Sequence, residues 1–339
     1  MMLFFLKKEL MRIAINRRNA RNPFDYQLAE NFSLEGSESP LVNNSYYFSA
    51  HGESLSVFAR LGKRTSMDET WFAVFKDGKI YSLKREFFPA GESPLKVEKK
   101  DGVWTIEYNG VLNEADSVSF RGSFVSDRAP IDFTSDMPSE RMATAMANEK
   151  WSKDFFKELQ SISGQCHYEQ EGVLEGEMTL SGKSLNFSLP CVRDHSFGKR
   201  DWNYMNNHLW LMAVSPELQM NYSLVSYPAM SVLEVGNFRD ESGQHFLREA
   251  NLDFQQINKG TIPQELSFEL SLDDGRTIPV EAKVLGCVSY HFQDGEYILH
   301  ENIAEYNIGG KSCRGILEIG FNRDGSRFFN HRDLTTFKR

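Results

Sequence analysis

A series of tight-turn dipeptides punctuates this chain: Asp77-Gly78, Asp101-Gly102, Asn109-Gly110, Ser181-Gly182, Asp274-Gly275, Asp294-Gly295 and Gly309-Gly310. Pairs of this kind accept the positive φ angles of two-residue hairpin loops, so each predicts two antiparallel strands. The flanking residues agree. Trp71, Ala73 and Phe75 alternate onto one face before the first turn, and Ile80, Leu83, Phe87 and Phe88 follow it. After the second turn, Trp104, Ile106 and Tyr108 alternate against Val103, Thr105 and Glu107. Strands with one apolar face can line a barrel. Aromatic residues reach 13%, including 26 Phe, which suits such strands and apolar pockets alike.

Between two β-rich parts, Asp136 to Ile162 reads as the one convincing helical region, starting near Asp136-Met137-Pro138-Ser139. Met142, Met146, Trp151, Phe155, Phe156 and Leu159 form its expected buried stripe, and Asn148 and Ser152 are places where it breaks in two. Asp132 to Asp136 reads as a capped helix start. Further strands are expected at 167–180, 184–190, 208–215, 220–227, 231–238, 265–272 and 277–293, with a last hairpin over 296–321. The expected organisation is mainly β: two antiparallel barrels or sandwiches, at 1–135 and 164–339, joined by a helical connector at 136–163. A length of 339 residues exceeds the usual single domain and supports a two-part reading.

The densest chemistry lies in RDHSFGKRDW, residues 193–202. In an extended strand Arg193 and His195 face one way and Asp194 and Ser196 the other, with a turn or bulge at Gly198. Asp194 and His195 are the candidate acid and base. Arg193 and Arg200 are candidates for orienting that acid or a polar ligand head, and Trp202, Tyr204, His208 and Trp210 for surrounding an apolar ligand. A cation formed by protonating a carbon–carbon double bond would gain roughly 0.5 to 2 kcal/mol from each aromatic face. The competing reading makes the Arg and Asp side chains a clasp that pins a loop, with Trp202 as a core plug. Glu301 and Glu305, near Tyr297, His300 and Tyr306, are candidates for carboxylates at a second mouth, although on a strand such residues usually form a solvated face.

Several classes are disfavoured. A net charge of −9 repels a polyphosphate backbone, so no nucleic acid is expected. No GxxxxGKS loop or dinucleotide fingerprint follows a strand, and no cofactor is expected. Cys166, Cys191, Cys287 and Cys313 form no CxxC pair, and His195 and His208 lie too far apart for a ligand-spaced motif, so neither a redox pair nor a metal is expected. The apolar start, Met1 to Leu6, is cut short by Lys7 and Lys8, and no run approaches a membrane span, which leaves a cytoplasmic expectation. The oligomeric state is not encoded in any of these features.

RDHSFGKRDW, with IDFTSDMP at 131–138, WSKDFF at 151–156 and RGILEIGF at 314–321, resembles the N-terminal region of animal phosphoenolpyruvate-synthase-like proteins. The ATP-grasp and swivelling phosphohistidine domains of those proteins are not visible here, so this resemblance implies at most an accessory or scaffold module with a phosphotransferase partner. More distantly, His195-Ser196-Phe197-Gly198 resembles the HSWG-type element of the lipocalin-like superfamily that includes carotenoid hydratases and AttH-like proteins, with Phe in place of Trp. That resemblance implies paired lipocalin-like barrels and a hydrophobic small molecule, lipid or isoprenoid-like, with acid-catalysed hydration or isomerisation as its chemistry.

Overall fold

The computed structural model describes residues 2–162, 164–252, 261–292 and 296–324, apart from the side chains of residues 84–86, 161 and 162. The chain is mainly β, in two antiparallel sheets. The first holds β1 (Val42–His51), β2 (Leu55–Lys63), β3 (Met67–Lys76), β4 (Lys79–Pro89), β5 (Leu95–Lys100), β6 (Val103–Leu112), β7 (Asp116–Val125), β8 (Ile131–Asp132), β9 (Cys166–Leu180) and β10 (Lys183–Lys199). Its order is β4-β3-β2-β1-β10-β9-β7-β6-β5, with β8 beside β9. The second is a closed barrel of β11 (Asn207–Val214), β12 (Gln219–Ser226), β13 (Leu233–Asp240), β14 (Gly243–Ala250), β15 (Glu265–Leu272), β16 (Thr277–Phe292), β17 (Tyr297–Ile308) and β18 (Lys311–Asn322), in sequence order around the ring.

The sheets divide after Lys199 and not at residue 164. The β9–β10 hairpin closes the gap between β1 and β7, and its Leu174, Met178, Phe187, Leu189 and Cys191 complete the inner core of the first sheet. Without it, β1 and β7 would each present an unpaired edge. The helical insertion separates this hairpin from its sheet along the chain but not in space, which is why the boundary read from the sequence falls too early.

Hairpin chemistry holds at most turns. Asp77-Gly78, Asp101-Gly102, Ser181-Gly182 and Gly309-Gly310 all carry positive φ at both residues, and Gly275 does so between β15 and β16. Asn109-Gly110 is an exception. It lies inside β6, and the turn comes at Asn113 and Glu114, both with positive φ. Gly110 serves packing: a Cβ there would meet the Tyr108 hydroxyl at 2.6 Å. Asp294-Gly295 lies outside the described residues.

The expected helical region is two helices, α3 (Ser139–Asn148) and α4 (Lys153–Ile162), but two more precede the sheets: α1 (Met2–Arg21) and α2 (Tyr26–Glu30). α1 escapes periodicity because none of its residues is buried. Phe156 is 44% exposed and does not join the expected stripe. Asp132 does not cap α3, whose N-cap is Pro138 with no side-chain bond; it accepts from the Thr134 and Ser135 amides in the turn before. α3 is fastened to the barrel by Arg141, which is paired with the buried Glu234 of β13. Among the described residues no helix is long and apolar enough to cross a membrane.

Each sheet has its own packed interior. A third cluster lies between them, with Tyr47, Phe58, Trp71, Phe75 and Val192 on one side and Trp202, Trp210, Met212, Tyr290, Phe292 and Leu299 on the other. β1 is buried along both faces because its inner residues enter the first interior and its outer ones meet the barrel.

Candidate functional site

Register builds the site. Residues directly opposite on antiparallel strands share a face, and one row crosses the first sheet as Trp71–Arg60–Tyr47–Asp194–Glu169, on β3, β2, β1, β10 and β9. Opposite it on the barrel runs Ser223–Trp210–Glu318–Glu301, on β12, β11, β18 and β17. Between these rows lies a cavity of about 500 Å³. Its apolar lining includes Trp71, Trp202, Trp210, Met142, Met146, Met230, Leu233 and Val235, and its polar lining includes Asp194, His167, Arg200, Arg60, Tyr47, His208 and Glu318.

The RDHSFGKRDW motif is split by strand parity. Asp194 faces the cavity. Arg193 and His195 face inward, beneath α2. Arg193 Nη2 donates to Glu30 at 2.7 Å and Gln170 at 3.1 Å, and its guanidinium lies 4.8 Å from the Trp104 ring centre. His195 Nε2 lies 2.7 Å from Asn44 Oδ1, its Nδ1 lies 2.6 Å from the Tyr168 hydroxyl, and its ring stacks on Tyr46. Burial, aided by the Arg193 charge, pushes His195 down to about 3, so it is a neutral imidazole that donates from Nε2. The two residues expected to act as acid and base therefore stand on opposite faces of one strand, and only Asp194 borders the cavity. Gly198 has φ +103, and a Cβ there would meet the Gly164 carbonyl oxygen at 2.2 Å, so the bend expected at this position requires glycine.

The remaining expected residues divide similarly. Trp202 opens the short 3₁₀ turn Trp202–Tyr204, whose Asn203 amide is capped by Asp201, and packs 4.3 Å from the Phe292 ring centre. Arg200, His208 and Trp210 line the cavity with it. Tyr204 does not; it stacks on Tyr227, which does. The Arg200 guanidinium lies 5.2 Å from the Trp202 ring centre and has no hydrogen bond or ion pair among the described residues.

Two groups were not anticipated. His167 stands beside Asp194 on the cavity face: its Nδ1 lies 3.4 Å from Asp194 Oδ1 and its Nε2 lies 3.1 Å from Glu169 Oε1. Burial pulls its pKa down, but the Asp194 and Glu169 carboxyls outweigh that and hold it above the usual histidine range, favouring imidazolium. The strand partner of His167 is Ser196, inside the motif, so the register of β9 on β10 is the signal that would have found it.

The second group is a buried carboxyl pair. Glu301 and Glu318 are direct cross-strand partners, 0% and 7% exposed, and Glu301 is therefore not the solvated residue that its strand position suggested. Burial and its neighbour Glu318 push Glu301 well above the carboxylate range; burial also raises Glu318. Two like charges on facing side chains in a dry site disfavour each other, which favours one proton on the pair, with Glu301 the more strongly raised member. Glu301 accepts from the Tyr47 hydroxyl, which ties the two rows together. Glu318 Oε1 also lies 2.5 Å from His208 Nε2, and His208 Nδ1 lies 2.6 Å from the Tyr297 hydroxyl. Burial, with Arg200 next, lowers His208 to about 3, so this imidazole is neutral and donates to Glu318. Gly320 makes the room: a Cβ there would meet His208 Cε1 at 2.2 Å.

Among the described residues no three His, Cys, Asp or Glu side chains group as metal ligands would. Chemically, the cavity offers a cationic acid (His167 with Asp194), an unpartnered guanidinium (Arg200), a carboxylate fed by two donors (Glu318) and three indole rings.

No curated protein matches this chain. Among solved structures it is similar to kievitone hydratase from Nectria haematococca, at 12% identity and a TM-score of 0.58, over 91% of this chain and 95% of that one. It is also similar to an AttH-type protein from Nitrosomonas europaea, at 9% identity and a TM-score of 0.54, over 85% of this chain and 96% of that one. These likenesses bear out the expected mainly β, lipocalin-like fold. Nothing in them supports the resemblance to phosphoenolpyruvate-synthase-like proteins. Residues 34–323 match the family described as Domain of unknown function (DUF7064), and the chain belongs to that family.

Proposed function

We propose that this protein binds an apolar small molecule of the lipid or isoprenoid class between its two sheets and performs acid–base chemistry on it, of the hydration or isomerisation type. The observation that carries this reading is the cavity of about 500 Å³, within the usual range for small-molecule sites, in which a few polar groups converge on an apolar lining. In this reading the Asp194–His167 pair delivers a proton to a double-bond carbon, and the indoles of Trp71, Trp202 and Trp210 face the cation that forms. For hydration, a water oxygen bonds to the cationic carbon and its surplus proton passes to Glu318; for isomerisation, a neighbouring C–H gives that proton instead. Arg200 holds a polar end of the substrate. Arg193 and His195 belong to the clasp beneath α2. The hydratase activity named for the kievitone enzyme fits this chemistry, and at 12% identity it supports the fold alone.

The test is denaturing extraction of the purified chain followed by mass spectrometry. The expected result is a stoichiometric apolar compound, lost when Val235→Phe fills the lining. Incubated with that compound, the wild type yields a product heavier by one water or of unchanged mass. Asp194→Asn retains the compound but makes no product. A chain that is reproducibly empty, and whose melting temperature an isoprenoid panel does not shift, overturns the reading. That outcome favours a scaffold, for which the packed interiors of both sheets and the Arg193–Glu30 clasp already speak.

A further inference from the structure

α1 has chemistry that the cavity does not use. One side of the helix packs along α3, where Lys7 Nζ donates to the Glu149 carbonyl oxygen at 2.5 Å and lies over the Trp151 ring, and Lys8 pairs with Glu140. Nearer its C-terminal end, Asn19 donates to the Thr134 carbonyl oxygen at 3.2 Å. The other side carries Leu3, Leu6, Leu10 and Ile13, which are 65%, 56%, 51% and 42% exposed. Spacings of three and four residues place them in one stripe. A stripe of this size exposed to water is a cost that a single scattered leucine is not.

Charge identifies what covers it. Across Met2–Arg21 there are six basic side chains and one acidic, on a chain whose net charge is −9. Glu9, the acidic one, is already bonded to Arg12. Arg17, Arg18 and Arg21, in the last turns, have no ion pair among the described residues. A second copy of this acidic chain would meet the basic helix with little apolar complement, whereas an anionic lipid surface offers acyl chains for the stripe and headgroups for the arginines. Among the described residues no helix is long and apolar enough to cross a membrane, so on such a surface α1 would lie in its plane.

From this juxtaposition of an exposed leucine stripe with unpaired arginines on one helix, we infer that α1 is an interfacial anchor that seats the protein on anionic membranes. The inference goes beyond the proposed chemistry and gives it an access route, since Arg18 of α1 and Met142 and Met146 of α3 line the cavity. Docking α1 sets that helical wall against the lipid, the medium in which an apolar substrate is dissolved.

The experiment is co-sedimentation of the full chain with vesicles of phosphatidylglycerol and phosphatidylcholine, and with phosphatidylcholine alone. The expected result is binding to the anionic vesicles, at least tenfold weaker to the neutral ones, and weakened by salt. Leu6→Glu with Leu10→Glu abolishes it, and Arg17→Glu with Arg21→Glu reduces it at least tenfold. These positions are exposed, so the variants keep the wild-type melting temperature. A wild-type chain that stays in the supernatant with anionic vesicles overturns the inference, as does one whose leucine variant turns a dimer into a monomer without any vesicle binding. Val235→Phe leaves sedimentation unchanged, so failure of the anchor and failure of the proposed chemistry are read separately.

Discussion

The two faces of β10, one residue apart, do opposite work. On the inner face Arg193 and His195 are enclosed by protein: Glu30, Gln170, Tyr168, Asn44 and the rings of Tyr46 and Trp104. On the outer face Asp194 keeps only the 3.4 Å contact with His167 for its Oδ1 and borders open space with Arg200. The same ten residues thus hold a clasp and a candidate site. Density of charged residues in a sequence identifies a place; side-chain parity decides which of its members can meet a ligand.

The largest expected effect tests the clasp. Arg193→Ala removes a guanidinium that is buried between Glu30, Gln170 and the Trp104 ring. Although Lys99 still pairs with Glu30, the change should cost about 3 kcal/mol of unfolding free energy in urea, the lower end for removing one partner of a buried ion pair. The compound retained by the cavity should not change. A loss below about 1 kcal/mol, or a loss of the ligand at unchanged stability, would merge the two faces that the structure separates.

The carboxyl pair gives a sharper, somewhat smaller effect. Since burial and Glu318 favour the protonated form of Glu301, a neutral Gln keeps its shape and its acceptance from Tyr47. Glu301→Gln should remain within about 1 kcal/mol of wild type at neutral pH, while Glu301→Ala, which leaves a void and unpaired partners, should lose roughly 2 to 4 kcal/mol. Equal losses in urea denaturation would mean that Glu301 is ionised and that the shared-proton account is wrong.

The smallest effect concerns His167. Its folded pKa lies above the unfolded value near 6.5, so its stabilisation is fully present below that pH and is lost as pH rises through the folded pKa. The stability difference between wild type and His167→Gln should therefore shrink as pH rises from about 6 into the alkaline range. A difference that grows with pH would place the neutral imidazole in the native state. His195 and His208, both pushed down to about 3, behave oppositely and contribute only above their unfolded pKa.

Much of the β framework was readable because its signals are local. A glycine at positive φ announces a turn wherever the chain goes next, and strand 265–272 was placed to the residue by its alternation ahead of the turn at Gly275. The site was half readable: Asp194, Arg200, Trp202, His208 and Trp210 were named and line the cavity. His167 and Glu318 were not, and Glu301 was named apart from them, since each acquires its surroundings from a strand distant in sequence. Glu301 looks like an ordinary surface glutamate until β18 brings Glu318 opposite it and β1 brings Tyr47 above it. α1 was missed for a related reason, having no buried residue to generate a periodic signal.

Residue order alone settled that this chain makes antiparallel hairpins, where most of them turn, and which short segment is richest in chemistry, because backbone sterics and side-chain alternation act over a few residues. Tertiary structure settled that β9 and β10 belong to the first sheet, that His195 turns away from the cavity while His167 turns into it, and that two glutamates are buried face to face. Those outcomes depend on register and on the packing of one sheet against another, where a shift of one residue exchanges buried for exposed and the desolvation of a charge is set by neighbours more than a hundred residues away.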